Sequence, residues 1–312
     1  MTAAASPYTR AEVLKLARLL RVHPDSLGVL DSVSDADLAL FREQVTDVLF
    51  GADSGTLKRL GAAAKLLPGP ILARIAEKVF GPLLCARVAG LIDPDKAADT
   101  AKRLSPAFLA DVAVELDPRR AHAVISALPP KLIAPVAVEL AARQDWITLG
   151  RFVGYLSEEP LAACITELDE AALLRIALVV EDSSAIPLVI DLLPRSRQVR
   201  LLMAASEQNL WPVLLGRAGS LPDHLVGELA ELLAEQDRAL IDTLATVVVD
   251  HNLWTELLPF ARVLPADAQS VLADVARTLP PAVRADIISE AKRLGVLTDL
   301  GPIADALTAS AA

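Results

Sequence analysis

The chain has little of what most protein chemistry needs. Its 312 residues include two cysteines, four histidines, two methionines, two tyrosines, three tryptophans and six phenylalanines. Cys85 and Cys164 both fall inside apolar helical stretches and read as small buried hydrophobes, which argues against a disulfide framework. The histidines (His23, His122, His224 and His251) never recur at the i, i+4 spacing of a helical zinc site, and no CxxC occurs. There is no GxxxxGK[ST], no GxGxxG after a strand and no GxSxG elbow, so phosphate cradling and nucleophilic catalysis have no motif to rest on. Only Tyr8 and Tyr155 offer a phenolic acid. No enzyme activity is expected.

Long apolar runs are also missing. None reaches the roughly 18–20 residues that cross a bilayer, and the most apolar stretch, 172–193, is cut by Arg175, Glu181 and Asp182. The N-terminus lacks a basic region leading into an apolar core, so a secretory signal is not read and a cytoplasmic location is expected. Thirty basic against forty acidic residues give a net charge of −10, which disfavours the phosphate neutralisation that nucleic-acid binding requires. Arg119-Arg120 and Arg195/Arg197/Arg200 are short clusters and read as solvated helix ends. No strand-like alternation persists, and even Val247 to Val249 sit in a helical frame.

What the chain does have is leucine, alanine and valine, which supply most of its 53% hydrophobic content. A compact single core seldom grows past roughly 250–300 residues, so two domains or an elongated array is expected. The stretch 93–140 favours the array, because it is one unit written twice. DPDKAADTAKRLSPAFLADVAVEL (93–116) is followed by DPRRAHAVISALPPKLIAPVAVEL (117–140), and 11 of 24 positions agree. Each copy reads as two short helices. Asp93 or Asp117 caps the first, Pro94 or Pro118 opens it, and Ser105-Pro106 or Pro129-Pro130 makes the turn. Ala86, Ala110, Ala134 and Ala162 stand six residues before Ile92, Leu116, Leu140 and Leu168, where small side chains would let neighbouring helices approach closely. The expected fold is all-α, an α-solenoid of short HEAT-like helical hairpins, each covered only by its neighbours.

Along the chain, residues 1–8 read as a disordered leader and 9–50 as a helical cap. Within the cap, Thr9 and Glu12 form a capping box, VHPDSLG is a loop, and a second helix runs from Ser34 to about Phe50. GADSG (51–55) marks a turn. The solenoid is expected over 56–296, with short repeats at 56–168 and longer ones at 169–296, followed by a loose tail at 297–312. Tryptophan marks the longer frames. Trp146, Trp211 and Trp254 each precede Ser157, Pro222 or Pro265 by eleven residues, and Ser183 holds the same place before Pro194. The tryptophan spacings of 65 and 43 suggest inserted or stretched units, and a turn is expected near Gln236-Asp237. Pro135, Pro187 and Pro259 fall inside helical frames and would kink them, curving the array toward a concave binding face.

The units L-D-P-x-x-A-A at 92–98 (I-D-P-D-K-A-A) and 116–122 (L-D-P-R-R-A-H), with the repeated A-x-V-A-V-E-L, resemble the cytoplasmic N-terminal domain of MgtE-class magnesium transporters, over about residues 60–170. The resemblance implies a superhelix of short helices and an acidic surface responsive to Mg²⁺, for which Asp93, Asp95 and Asp99 are the candidate ligands. No membrane domain or strand-containing regulatory module is read here, so transport by this chain is not expected.

Three functions are therefore open. The first is a scaffold that engages a protein partner along its concave face, with Trp146, Trp211 and Trp254 as aromatic anchors. A packing role for those rings competes with that reading. The second is a carrier or sensor of an apolar small molecule, held between middle helices that are apolar nearly all round. The third is the magnesium-responsive module.

Overall fold

A computed structural model describes residues 6–51, 67–218 and 221–309. The fold is all-α, with no strand among the described residues. The chain divides into two compact units, the first formed by residues 1–172 with 178–182 and the second by 173–177 with 183–312.

The first unit opens with α1 (Pro7–Leu20). The Ser6 hydroxyl accepts the Thr9 amide at 3.0 Å and Pro7 takes the first turn. The helix therefore starts earlier than a Thr9 cap would allow, and Glu12 is turned inward instead of closing a capping box. The expected loop after it is largely a 3-10 segment, Pro24–Ser32. The next helix, α2 (Asp35–Gly51), is capped by Ser34 as the sequence predicts, its hydroxyl accepting the Asp37 amide at 3.1 Å. Gly51, the first residue of the expected turn, ends α2, while the rest of that turn (52–55) and most of the expected first repeat helix lie outside the described residues. Then α3 (Gly69–Ile75) passes through a π turn, Ala76–Phe80, into α4 (Gly81–Ala89).

The duplicated stretch folds as two helical hairpins, α5 (Pro94–Ala101) with α6 (Pro106–Glu115), and α7 (Pro118–Ala127) with α8 (Pro130–Ala142). Asp93, Ser105 and Asp117 accept amides of Lys96, Phe108 and Arg119 at 3.3, 3.2 and 3.1 Å, and a proline follows each cap. Next come α9 (Trp146–Phe152), a 3-10 turn at Val153–Tyr155, α10 (Glu158–Glu167) and α11 (Glu170–Val179).

Helices pack on those two places along. One row stacks α4, α6, α8 and α10; the other stacks α3, α5 and α7, with α7 also meeting the Val153–Tyr155 turn. The register of alanines lies in the first row, where Ala86, Ala110 and Ala134 are buried. Ala86, Leu116, Ala121 and Ile125 form a core, with Val112, Phe152 and Tyr155 packed against it. At Gly150 the fold needs the absent side chain, since a Cβ there would sit 2.8 Å from the Val179 carbonyl oxygen.

The second unit repeats on a longer period. After the short α12 (Ile186–Asp191) come α13 (Arg195–Glu207), α14 (Trp211–Ala218) and α15 (Asp223–Ala234). Then follow α16 (Arg238–Asp250), α17 (Trp254–Ala261), α18 (Ala266–Thr278), α19 (Pro281–Arg293) and α20 (Pro302–Thr308). Three helices of 13 residues begin at 195, 238 and 281, so this unit has a period of 43 residues and three helices. The spacing of Trp211 and Trp254 is that period itself. Again helices pack two apart: α13, α15, α17 and α19 in one row, α14, α16, α18 and α20 in the other.

Each of these three helices ends in the same corner. Asn209, Asn252 and Gly295 are left-handed (φ 54°, 52° and 70°). The next amides, of Leu210, Leu253 and Val296, return to the carbonyls of Ala205, Val248 and Ala291 at 2.8, 2.9 and 3.0 Å. This closes otherwise orphaned helix-end carbonyls. Gln144 (φ 57°) makes the same corner before Trp146.

Two further expectations are corrected. Pro187 stands in the first turn of α12 and starts that helix without kinking it, because its missing N–H costs nothing there. Within the expected loose tail, residues 302–308 form a packed helix, since α20 buries Ile303, Ala306 and Leu307 against α18. The Arg284 guanidinium donates to the Ala309 carbonyl at 2.7 Å and holds the end of α20.

Trp254 is 3% exposed and opens α17, the second helix of the middle repeat of the second unit. Trp254→Ala should cost about 3–5 kcal/mol of that unit's stability, read as a lower thermal midpoint by calorimetry. An unchanged midpoint would remove the ring from the core.

Candidate interaction surface

The tryptophans proposed as anchors do not form a surface. Trp211 is 0% exposed and Trp254 3%, so both rings fill junctions between helices, while Trp146 is half-buried at the start of α9. This corrects the anchor reading for Trp211 and Trp254, because a ring enclosed by its own unit offers nothing to a partner. The Trp211 indole Nε1 is buried with no hydrogen-bond acceptor.

The acidic candidates do not converge either. Asp93 caps α5, Asp99 pairs with Arg103 one turn on at 3.5 Å, and Asp95 is an exposed first-turn residue. Among the described residues no three His, Cys, Asp or Glu side chains are grouped to hold a metal ion. His122 lies edge-on to Tyr155 with ring centroids 6.1 Å apart. Burial pushes the Cys85 thiol up to about 11 and that of Cys164 to about 12, so both are poor nucleophiles at neutral pH. No helix among the described residues is long and apolar enough to cross a membrane.

The first unit does contain a chain of buried charges, and it fixes the α1–α2 pair. Lys15 is almost wholly buried and donates to Glu12 at 2.5 Å. Burial lowers its pKa, partly offset by Glu12 and Glu181. Arg42, on the inner face of α2, reaches the other Glu12 oxygen at 3.0 Å and Glu181 Oε1 at 2.8 Å. The second contact is an ion pair without hydrogen-bond alignment, since Glu181 Oε1 has no bonded donor. Arg18 grips Asp145 through both oxygens, one at 2.7 Å, and also donates to the Thr148 hydroxyl at 2.9 Å. Burial alone would raise the Asp145 pKa, but the Arg18 and Thr148 bonds outweigh it and hold the carboxyl below its usual value. Arg151 sits nearby, its pKa lowered by burial, and donates to the Leu116 and Val114 carbonyls at 2.6 and 3.4 Å. At the far end of α2, Asp47 meets Arg119 and Arg120 at 3.4 and 3.6 Å.

With Leu38, Arg42 and Thr46 turned inward, α2 has one orientation and its other side faces outward. That side is apolar: Leu40 is 59% exposed, Phe41 48% and Val48 74%, with Val29 of the 3-10 segment at 80%. Among the described residues, ten of the thirteen exposed large apolar side chains lie between Leu20 and Leu91, in the first unit. A helix packed on one side only ordinarily turns a polar face outward. This one does not. The sequence carries a sign of it, because DADLALFREQVTDVLFG has apolar residues on opposite sides of the helix, where a simple cap needs one stripe.

Asn at position 145 keeps the helix cap and removes the ion pair. Asp145→Asn should therefore cost about 1–2 kcal/mol near neutral pH, discounted for the partly exposed Arg18. Because the folded carboxyl titrates below its ordinary 3.8, that advantage is complete above about pH 3.8 and lost as pH falls through the lower folded value. Thermal midpoints of both proteins at pH 6 and pH 3 check this; a pH-independent gap would refute it. Arg42→Met leaves Glu181 facing no guanidinium and should cost about 3 kcal/mol, seen as faster proteolytic cleavage within α2. Comparison with protein-family models, curated proteins and solved structures returns no match for this chain.

Proposed function

We propose that the chain is a non-enzymatic helical-repeat binding protein, and that its partner docks on the outer surface of the α1–α2 pair. The rows of mutually stacked helices support the scaffold part of this reading, because such arrays present fixed side chains over an extended surface. The observation that carries the binding part is the apolar exterior of α2, with Leu40, Phe41 and Val48 about half or more exposed on a helix pinned by buried charges. Exposed large apolar side chains scattered singly need no explanation, whereas a group on one rigid element marks an interaction site. The magnesium-responsive and apolar-carrier readings draw no comparable support.

A photo-crosslinking residue placed at Leu40 of the full chain should give a discrete protein adduct in cells. The same residue at Ala239, exposed on α16 of the second unit, should not. No adduct at position 40, or the same adducts from both positions, would overturn the reading.

A further inference from the structure

The outer face of α2 also indicates what kind of partner it fits. Two adjacent rows run along it, Ala36, Leu40, Glu43 and Asp47 in one and Asp37, Phe41, Gln44 and Val48 in the other, and all eight are exposed. Leu40, Phe41 and Val48 supply the apolar contact, and Asp37, Glu43 and Asp47 border it. Asp47 is balanced by Arg119 and Arg120, which also meet the buried Asp117, so those four charges cancel. Asp37 and Glu43 remain as the excess, with Asp35 in the same first turn. The face is therefore a short apolar stripe with a negative border.

We infer that this face takes an amphipathic helix from a partner protein, with an apolar stripe bordered by lysine or arginine. This rests on the binding reading above. An apolar stripe on a helix with fixed orientation is matched by the apolar stripe of a second helix, read at i, i+3, i+4 and i+7. The charged border then selects the sign of the partner and steers its approach. A second copy of the chain fits poorly, because a symmetric contact lays each patch on itself and brings Asp37 and Glu43 against their equivalents. An anionic membrane surface is disfavoured by the same charges.

The test uses the full chain and a labelled 16-residue helical probe with leucine at i, i+3, i+4 and i+7, bordered by lysine. A second probe replaces every lysine with glutamate. Fluorescence anisotropy should show saturable binding of the lysine probe, at least tenfold tighter than the glutamate probe and weakening as salt rises. Leu40→Ser with Phe41→Ser should abolish it with the thermal midpoint unchanged. Glu43→Lys should narrow the preference between the probes. Equal binding of both probes, or binding that survives the Leu40/Phe41 double variant, would overturn the inference. So would a dimer in sedimentation equilibrium that the double variant dissolves, since the occupant would then be a second copy. If the probes fail while the Leu40 crosslink still captures a protein, the partner chemistry is wrong and the binding reading stands; if both fail, both are wrong.

Discussion

No helix among the described residues exceeds 17 residues, and none buries its apolar face alone. Helices this short are marginal in water, so their order comes from the neighbours that cover them. In both units that cover is supplied two helices along the chain, and every other constraint follows from this stacking. It requires small residues where backbones approach, which is why Ala86, Ala110 and Ala134 fall in register and why Gly150 can meet the Val179 carbonyl. It also requires each helix to stop where the next must turn. The chain does this with Ser or Asp caps followed by proline in the first unit, and with left-handed Asn or Gly corners in the second.

Stacking does not cover everything, and the first unit holds α1 and α2 to it with charge. Glu12, Lys15, Arg42 and Glu181 form a chain of contacts between α1, α2 and the segment after α11, and Arg18 with Asp145 forms a second one. Buried ion pairs are poor sources of net stability, because desolvation offsets most of the attraction. Their value is directional. An apolar contact tolerates a helix turning about its axis, whereas Arg42 bridging two carboxylates does not. The rotation of α2 is set on its inner side, and that setting determines which residues it shows outside.

Much of the fold was legible in the sequence and much of the site was not. The duplicated stretch predicted the caps at Asp93 and Asp117 and the hairpins of α5 to α8, because capping and proline chemistry are local. The 43-residue period was visible as a tryptophan spacing but read as an insertion. The corner that defines it depends on φ at Asn209 and Asn252, and asparagine marks such corners only weakly. The helix at 302–308 was missed because its burial comes from α18, distant in sequence. Trp211 and Trp254 misled for a related reason. A large ring at a recurring position describes a repeat's core as well as a repeated contact, and only burial separates the two. The pairing of Arg18 with Asp145 spans 127 residues, a distance over which sequence pattern carries no information.

The outer face of α2 is where local rules and tertiary structure disagree most, and the disagreement is informative. A helix that only packed inward would put polar residues where Leu40, Phe41 and Val48 stand, and would lose nothing by doing so, since its inner contacts run through Leu38, Arg42 and Thr46. Apolar side chains in water neither contribute to packing nor protect the chain from association. Their presence on a helix whose rotation is fixed by buried charge therefore has no account among the described residues of the first unit. The proposed docking would supply one, by setting that face against a second apolar surface. The bordering carboxylates would then limit which surfaces can approach, the face's own twin first among those refused.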